Sequence, residues 1–99
     1  MIEIKEETKT YNAKIKFSYL GFDQDTATVW WQLGFDTEFG SFVTDKVNLN
    51  KPEQISNILK TLELRSWEEL PRKYARVKVK NKKVIGIGNI IRNDWLVIG

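Results

Sequence analysis

The chain has 99 residues, of which 41% are hydrophobic and 29% are charged, and its formal net charge is +3. This length and composition predict one folded domain, residues 1–99, rather than a disordered chain. The sequence contains no cysteine and no histidine, which excludes disulfides, thiolate chemistry, Cys-based metal sites and every catalytic arrangement built on histidine.

The absence of cysteine and histidine favours a binding protein over an enzyme, so we predict no catalytic residue, no cofactor and no metal site. No apolar run in the sequence reaches the length that spans a membrane. The opening residues MIEIKEETKT lack the apolar stretch of a signal peptide. We therefore expect a cytoplasmic protein without a membrane partner.

The first half of the chain predicts three antiparallel strands joined by turns. In AKIKFSYL (residues 13–20) and TATVWWQLGF (residues 26–35), apolar side chains alternate with a mostly polar set. FGSFVTD (residues 39–45) forms the third strand. Alternation places one set of side chains in the core and the other on a second face of the sheet. The predicted core set is Ala13, Ile15, Phe17, Tyr19, Ala27, Val29, Trp31, Leu33 and Phe35.

Two helices follow in the prediction. The main helix begins near Asn50, which forms a capping box with Glu53. A shorter helix begins at SWEEL, with Ser66 as its N-cap and with Trp67 and Leu70 closing one end of the core. The residues that recur at the spacing of one buried helical stripe are Ile55, Ile58, Leu59 and Leu62.

A C-terminal hairpin and a last strand complete the predicted fold. KYARVKVK and KVIGIGNII form the hairpin around a three-residue loop that sets Val79 opposite Ile85 and Val77 opposite Ile87. WLVIG is the last strand. The order is β-β-β-α-α-β-β-β, an α+β domain in which the main helix packs on a strongly bent sheet or on two sheets.

Positive charge is concentrated in residues 72–92, which contain eight Lys and Arg side chains and no Asp or Glu. This segment has a charge of +8, so the remainder of the chain is acidic. Such a concentration is typical of a surface that binds an anionic partner. The alternative is a solvated strand whose lysines guard the edge of a sheet.

Two adjacent tryptophans, Trp30 and Trp31, must point to opposite faces of their strand. The alternation predicts Trp31 in the core and Trp30 on the second face. The expected registers set Lys16 opposite Trp30 and pair Phe35 with Phe39. The second face then consists of Lys14, Lys16, Thr28, Trp30, Gln32, Phe42 and Thr44.

Aromatic rings among lysines can stack on nucleobases while the cations bind phosphate, which gives the second face a binding role. The alternative is that Trp30 packs under the C-terminal hairpin or lies in a subunit interface. The candidate binding residues are Lys14, Lys16, Trp30, Phe42, Tyr74, Arg76, Lys78 and Lys80.

The segment SWEELPRKYARVKVKNKKVIGIGNIIRNDWL resembles a family of small phage and prophage accessory proteins. The family pattern runs Ser-Trp-Glu-(Asp/Glu)-Leu, Lys-Tyr-x-Arg-Val, Ile-Gly-x-Ile and Asp-x-Trp, and AKIKFSYLGFDQDTATVWWQLGF resembles its opening. Arg72 stands where the family usually has Gly, and Asn89 where it usually has His. The matching residues are Trp67, Leu70, Tyr74, Arg76, Ile87, Gly88 and Trp95.

This resemblance implies an accessory or anti-defence factor that acts by binding. We expect a non-enzymatic phage protein in the host cytoplasm that counteracts an antiviral defence by binding an anionic target. That target is a nucleotide signal or the nucleic-acid site of an immune nuclease. The alternatives are a nucleic-acid-binding accessory protein of phage replication and a small homo-oligomeric structural protein.

Overall fold

A computed structural model describes residues 8–98. It confirms a small mixed α+β domain that is mostly sheet, and it adds a two-residue strand, β4, that the sequence did not predict. In chain order the elements are β1 (Lys9–Asp23), β2 (Thr28–Thr37), β3 (Gly40–Val43), β4 (Val47–Asn48), α1 (Glu53–Leu62), a 3₁₀ helix (Trp67–Glu69), β5 (Tyr74–Lys80), β6 (Lys83–Gly88) and β7 (Trp95–Val97).

Five of the strands form a closed ring. β1 pairs antiparallel with both β2 and β5, β5 pairs with β6, and β2 pairs with β3. A parallel contact between Val43 of β3 and Lys83 of β6 closes the ring. β4 and β7 lie outside the ring, beside β2 and β6. In such a barrel each strand turns alternate side chains inward and outward.

β1 pairs with two neighbouring strands because it is 15 residues long and contains a bulge. Residues 9–14 pair with β5, and residues 14–23 pair with β2, with a shift of register at Lys16. The extra residue inverts the faces of the side chains that follow it. Phe17 and Tyr19, which alternation placed in the core with Ile15, therefore lie outside the barrel, and Tyr19 is 53% exposed.

The turn between β2 and β3 differs from the prediction by one residue. The turn contains two residues, 38–39, and Phe35 pairs with Phe42 rather than with Phe39. Phe42 therefore packs against the core, and Thr44 is buried, with its hydroxyl accepting a hydrogen bond from the backbone N–H of Leu33 at 3.1 Å. The predicted outward positions of Phe42 and Thr44 are wrong because the register is shifted by three residues, and any odd shift exchanges the two faces of a strand.

The β5–β6 turn also contains two residues rather than three. Asn81 and Lys82 have φ angles of 53° and 63°, the left-handed conformation that such tight hairpin turns require. Val79 consequently pairs with Val84 and not with Ile85. A register shift at this point restores the predicted pairing in the rest of the hairpin.

The interior of the barrel is filled by inward side chains and closed by α1. Ile58 and Leu62 of the predicted helical stripe are buried, and Ile55 and Leu59 pack against the core. Leu70 is also fully buried, and Trp67 packs beside it, as expected. The buried core residues are Ala13, Ile15, Trp31, Leu33, Phe35, Ile58, Leu62, Leu70, Ala75, Val77, Val79, Val84 and Ile87.

The two predicted N-caps are wrong. Pro52 occupies the N-cap of α1, and the side chain of Asn50 instead accepts a hydrogen bond from the Gln54 amide at 3.0 Å. Ser66 precedes the 3₁₀ helix without a side-chain capping bond, and Glu69 accepts from the backbone N–H of Arg65 at 3.2 Å. Within residues 8–98, no helix is long and apolar enough to cross a membrane.

We predict that Trp31→Ala lowers the free energy of unfolding by about 3–5 kcal/mol, as other large-to-small core changes do. Trp31 is 3% exposed. Trp30 belongs to the outer face, so Trp30→Ala should cost less. Denaturant unfolding of both variants checks this, and equal losses would contradict the assignment of the two faces.

We predict that Arg72→Gly raises the free energy of unfolding by about 0.5–1 kcal/mol. Arg72 has a φ of 74°, which glycine adopts at little cost and other residues do not. The control is Arg65→Gly at an exposed position without a positive φ, which should lower stability. A stability loss at both positions would contradict the argument.

Candidate functional site

The outward side chains along β1 and its two neighbours form one surface, which we call the outer strip. It begins beside β5, passes the bulge and ends at the tip of the β1–β2 hairpin. Its cross-strand pairs, in order, are Thr10–Lys78, Asn12–Arg76, Lys14–Tyr74, Phe17–Gly34, Tyr19–Gln32 and Gly21–Trp30.

Aromatic rings cover the half of the outer strip that follows the bulge. The rings of Phe17 and Tyr19 stack with their centroids 4.4 Å apart. Phe17 lies across Gly34, and Trp30 lies across Gly21, so closely that a Cβ on either glycine would collide with the ring. The glycines thus let two aromatic side chains lie flat on the sheet.

Trp30 is half-buried and belongs to the face opposite Trp31, as predicted. Its cross-strand neighbour is Gly21 and not the predicted Lys16. The cation near its ring is Lys46, whose Nζ is 4.6 Å from the ring centroid. Lys16 instead lies at the bulge, with its ammonium 4.0 Å from a carboxylate oxygen of Asp36.

Cations occupy the other half of the strip, around Trp95 of β7. The guanidinium carbon of Arg76 lies 4.9 Å, and the ammonium of Lys78 4.3 Å, from the Trp95 ring centroid. Arg76 also donates to the backbone carbonyls of Asn89 and Arg92, each at 2.7 Å. Arg76 therefore holds the loop before β7, whereas Lys78 keeps its charge at the surface.

Part of the predicted basic segment is neutralised by carboxylates. Lys83 pairs with Asp45 at 3.0 Å, and Arg92 pairs with Glu63 at 2.9 Å and with Asp94 at 3.1 Å. β5 lies between β1 and β6, so the predicted edge-guarding role of its lysines is wrong. The cations of the outer strip remain as the basic surface.

Asn89 is 6% exposed. Its amide nitrogen donates to the carbonyl of Thr61 at 3.0 Å, and its Oδ1 accepts from the N–H groups of Ile91 and Arg92 at 2.9 Å. The side chain thus connects α1 to the loop before β7. These bonds give Asn89 a structural role.

A cleft of about 430 Å³ lies where β1 and β2 separate. Tyr11 and Phe39 form its apolar part, with ring centroids 5.5 Å apart. Lys14 and Tyr74 line it at the outer strip, with the Lys14 Nζ 5.8 Å from the Tyr74 ring centroid. Phe42, a predicted binding residue, stacks behind Tyr11 instead. The cleft has the size of a small-ligand site.

The structure brings together some predicted site residues and separates others. Lys14, Tyr74, Arg76 and Lys78 lie side by side. Trp30 lies at the far end of the strip, and the exposed Lys80 lies at the β5–β6 turn. Sequence reasoning missed members of the surface because the bulge and cross-strand partners are not visible in a single strand. The missed residues are Phe17, Tyr19, Lys46 and Trp95.

Comparisons with protein-family models, with curated proteins and with solved structures found no match. Among residues 8–98, no group of three or more Asp and Glu side chains is placed to hold a metal ion. The outer strip presents ring faces and positive charge from β1 and the strands beside it.

We predict that Arg76→Gln lowers the free energy of unfolding by about 1–2 kcal/mol, because two hydrogen bonds to carbonyls are lost. Lys78→Gln is the matched control, since it removes a charge from the same ring without those bonds. It should change stability by less than about 0.5 kcal/mol. Thermal and urea unfolding measure both, and equal effects would show that Arg76 does not hold the loop.

Proposed function

We propose that the protein binds single-stranded nucleic acid along the outer strip and catalyses no reaction. The observation that carries this proposal is that the ring faces on one half of the outer strip adjoin the cations on its other half. Residues 10–21 of β1 have a contour length of about 36 Å at roughly 3.3 Å per residue, with a bend at the bulge. That length accommodates several nucleotides in a row.

The ring connectivity supports the same class of ligand. OB folds consist of three antiparallel strands, a helix and a hairpin. A parallel contact between the third strand and the last strand of the ring closes their barrel. β1, β2, β3, β5 and β6 take the places of its five strands. OB barrels bind oligonucleotides or oligosaccharides on the face of their second and third strands and on the loops after their first and fourth strands. The outer strip ends at the first of these loops, between β1 and β2. Connectivity supports a ligand class and not the roles of individual residues.

The chemistry of the strip favours nucleic acid over a sugar. Bases stack on aromatic faces irrespective of sequence, and lysines bind the phosphates between them. Tyr19 offers an exposed ring in the aromatic half of the strip, with Lys14 on one side and Lys46 beyond Trp30 on the other. Two acidic side chains belong to this face: Asp36, with Lys16 beside it, and Asp23, opposite Thr28 at the hairpin tip.

In the setting that the resemblance implies, this activity belongs to a phage accessory protein. It would bind the single strands of phage replication, or occupy the strand on which an immune nuclease acts. A nucleotide signal is the second candidate ligand, and the cleft favours it. The rings of Tyr11, Phe39 and Tyr74 would hold a base there, with Lys14 beside the phosphate.

We predict that a fluorescein-labelled oligothymidine binds the protein with an affinity that falls steeply with salt. Tyr19→Ala should weaken binding about 5- to 150-fold, the effect of losing one stacked base. Lys14→Gln combined with Lys78→Gln should flatten the logarithmic salt slope by about 1.4, because about 0.7 is lost per phosphate contact on a single strand. Fluorescence anisotropy across a salt series measures both quantities.

The matched control is Lys60→Gln, which removes one charge from α1 rather than from the strip. It should leave affinity nearly unchanged. The proposal is contradicted if the oligonucleotide does not bind at low salt. It is also contradicted if the Lys60→Gln variant and the Lys14→Gln/Lys78→Gln variant show the same logarithmic salt slope. For the second candidate, Phe39→Ala should abolish the thermal shift caused by a cyclic dinucleotide and leave oligonucleotide binding intact.

A further inference from the structure

The second half of β1 is an open sheet edge. Beyond Ile15, which bonds to the backbone of residues 72–73, no strand of the described residues 8–98 pairs with the side of β1 that faces away from β2. Natural proteins protect such edges with lysine, proline or a covering segment. Residues 17–22, FSYLGF, contain neither a charge nor a proline.

Bonds made by β2 show which backbone groups face this edge. The carbonyl of Leu33 accepts a hydrogen bond from the backbone N–H of Thr44 at 3.0 Å, and the N–H of Leu33 donates to the Thr44 hydroxyl at 3.1 Å. The carbonyl of Val29 accepts from the backbone N–H of Leu49 at 2.7 Å. Their backbone groups therefore point away from β1, so each forms a non-hydrogen-bonded pair with its β1 partner. Their partners Ser18 and Phe22 must direct their N–H and C=O groups to the open edge, and so, by alternation along the strand, must Leu20 between them.

These three residues are spaced symmetrically about Leu20. If the edge pairs antiparallel with itself on a two-fold axis at Leu20, that residue meets its own copy, and Ser18 meets Phe22 of the second copy. Each meeting is a hydrogen-bonded pair with two bonds. All six outward N–H and C=O groups of each copy then have a partner, giving six bonds in total. A register centred on Tyr19 satisfies fewer of them.

Side chains and charges suit the same arrangement. Leu20 is 52% exposed and Phe22 is 60% exposed, and both lie on one face of the hairpin, where the pairing would cover them. The antiparallel orientation also places the Lys16 end of each edge against the end with Asp23 and Asp25 in the second copy. A parallel orientation would oppose like charges instead.

We infer that the occupant of this edge is a second copy of the same chain, paired antiparallel about Leu20. The result is an isologous dimer with one sheet continuous through both hairpins. The two-fold axis is perpendicular to the sheet, so both outer strips lie on the same side. The dimer forms without a ligand, and its test is independent of nucleic-acid binding.

The first experiment measures mass in solution by light scattering over a range of concentrations. We expect the wild type to approach twice the 11.6 kDa chain mass. Leu20→Lys places two like charges on the axis and should yield folded monomer. Ile91→Lys, at an 88% exposed apolar residue elsewhere, is the matched control and should remain dimeric. A monomeric wild type at all concentrations overturns the inference.

The second experiment tests the register and does not depend on the folding of the lysine variant. The chain has no cysteine, so Leu20→Cys introduces one thiol per copy, with Cα atoms about 5.5 Å apart across the axis. A short bismaleimide should cross-link this variant rapidly and Ile91→Cys slowly. Equal cross-linking at both positions, or a dimer that persists in Leu20→Lys, shows that the copies associate elsewhere and overturns the inference.

Discussion

The bulge at Lys16 is the constraint on which the barrel depends. A single strand can border both β5 and β2 only if it bends sharply, and the extra residue supplies that bend. The same residue inverts the faces of the hairpin beyond it. It therefore closes the core with Ala13 and Ile15 and moves Phe17 and Tyr19 outside. One local irregularity creates both the core and the aromatic surface.

Glycines opposite aromatic residues complete that surface. Trp30 lies over Gly21, Phe17 over Gly34, and Trp95 over Gly88, where a Cβ would come within 2.8–2.9 Å of the Trp95 ring. Each ring is held flat against the sheet by a neighbour that has no side chain. Rings fixed in this way lose little conformational freedom when a ligand stacks on them, which favours binding.

The sequence predicted what depends on periodicity within one element. Alternation identified Trp31 and Leu33 as core, and the helical stripe identified Ile58 and Leu62. It failed where one residue is inserted or removed, because a regular alternation looks the same on both sides of a bulge. The error at Tyr19 has this cause, whereas the error at Phe42 comes from a turn that lies at other residues than expected. The roles of Lys46 and Trp95 depend on cross-strand neighbours, which a single sequence does not contain.

Tyr19 connects the outer strip with the open edge. In a pairing centred on Leu20, Tyr19 lies opposite Gly21 of the second copy, and that glycine already carries a tryptophan ring across it. The exposed tyrosine of each copy would therefore lie beside the Trp30 of the other. The stacking surface for a strand would then continue from one copy to the next, and a long ligand that touches both would favour the dimer by mass action. The six residues FSYLGF would thus combine an unguarded edge with exposed rings because both features serve one extended surface.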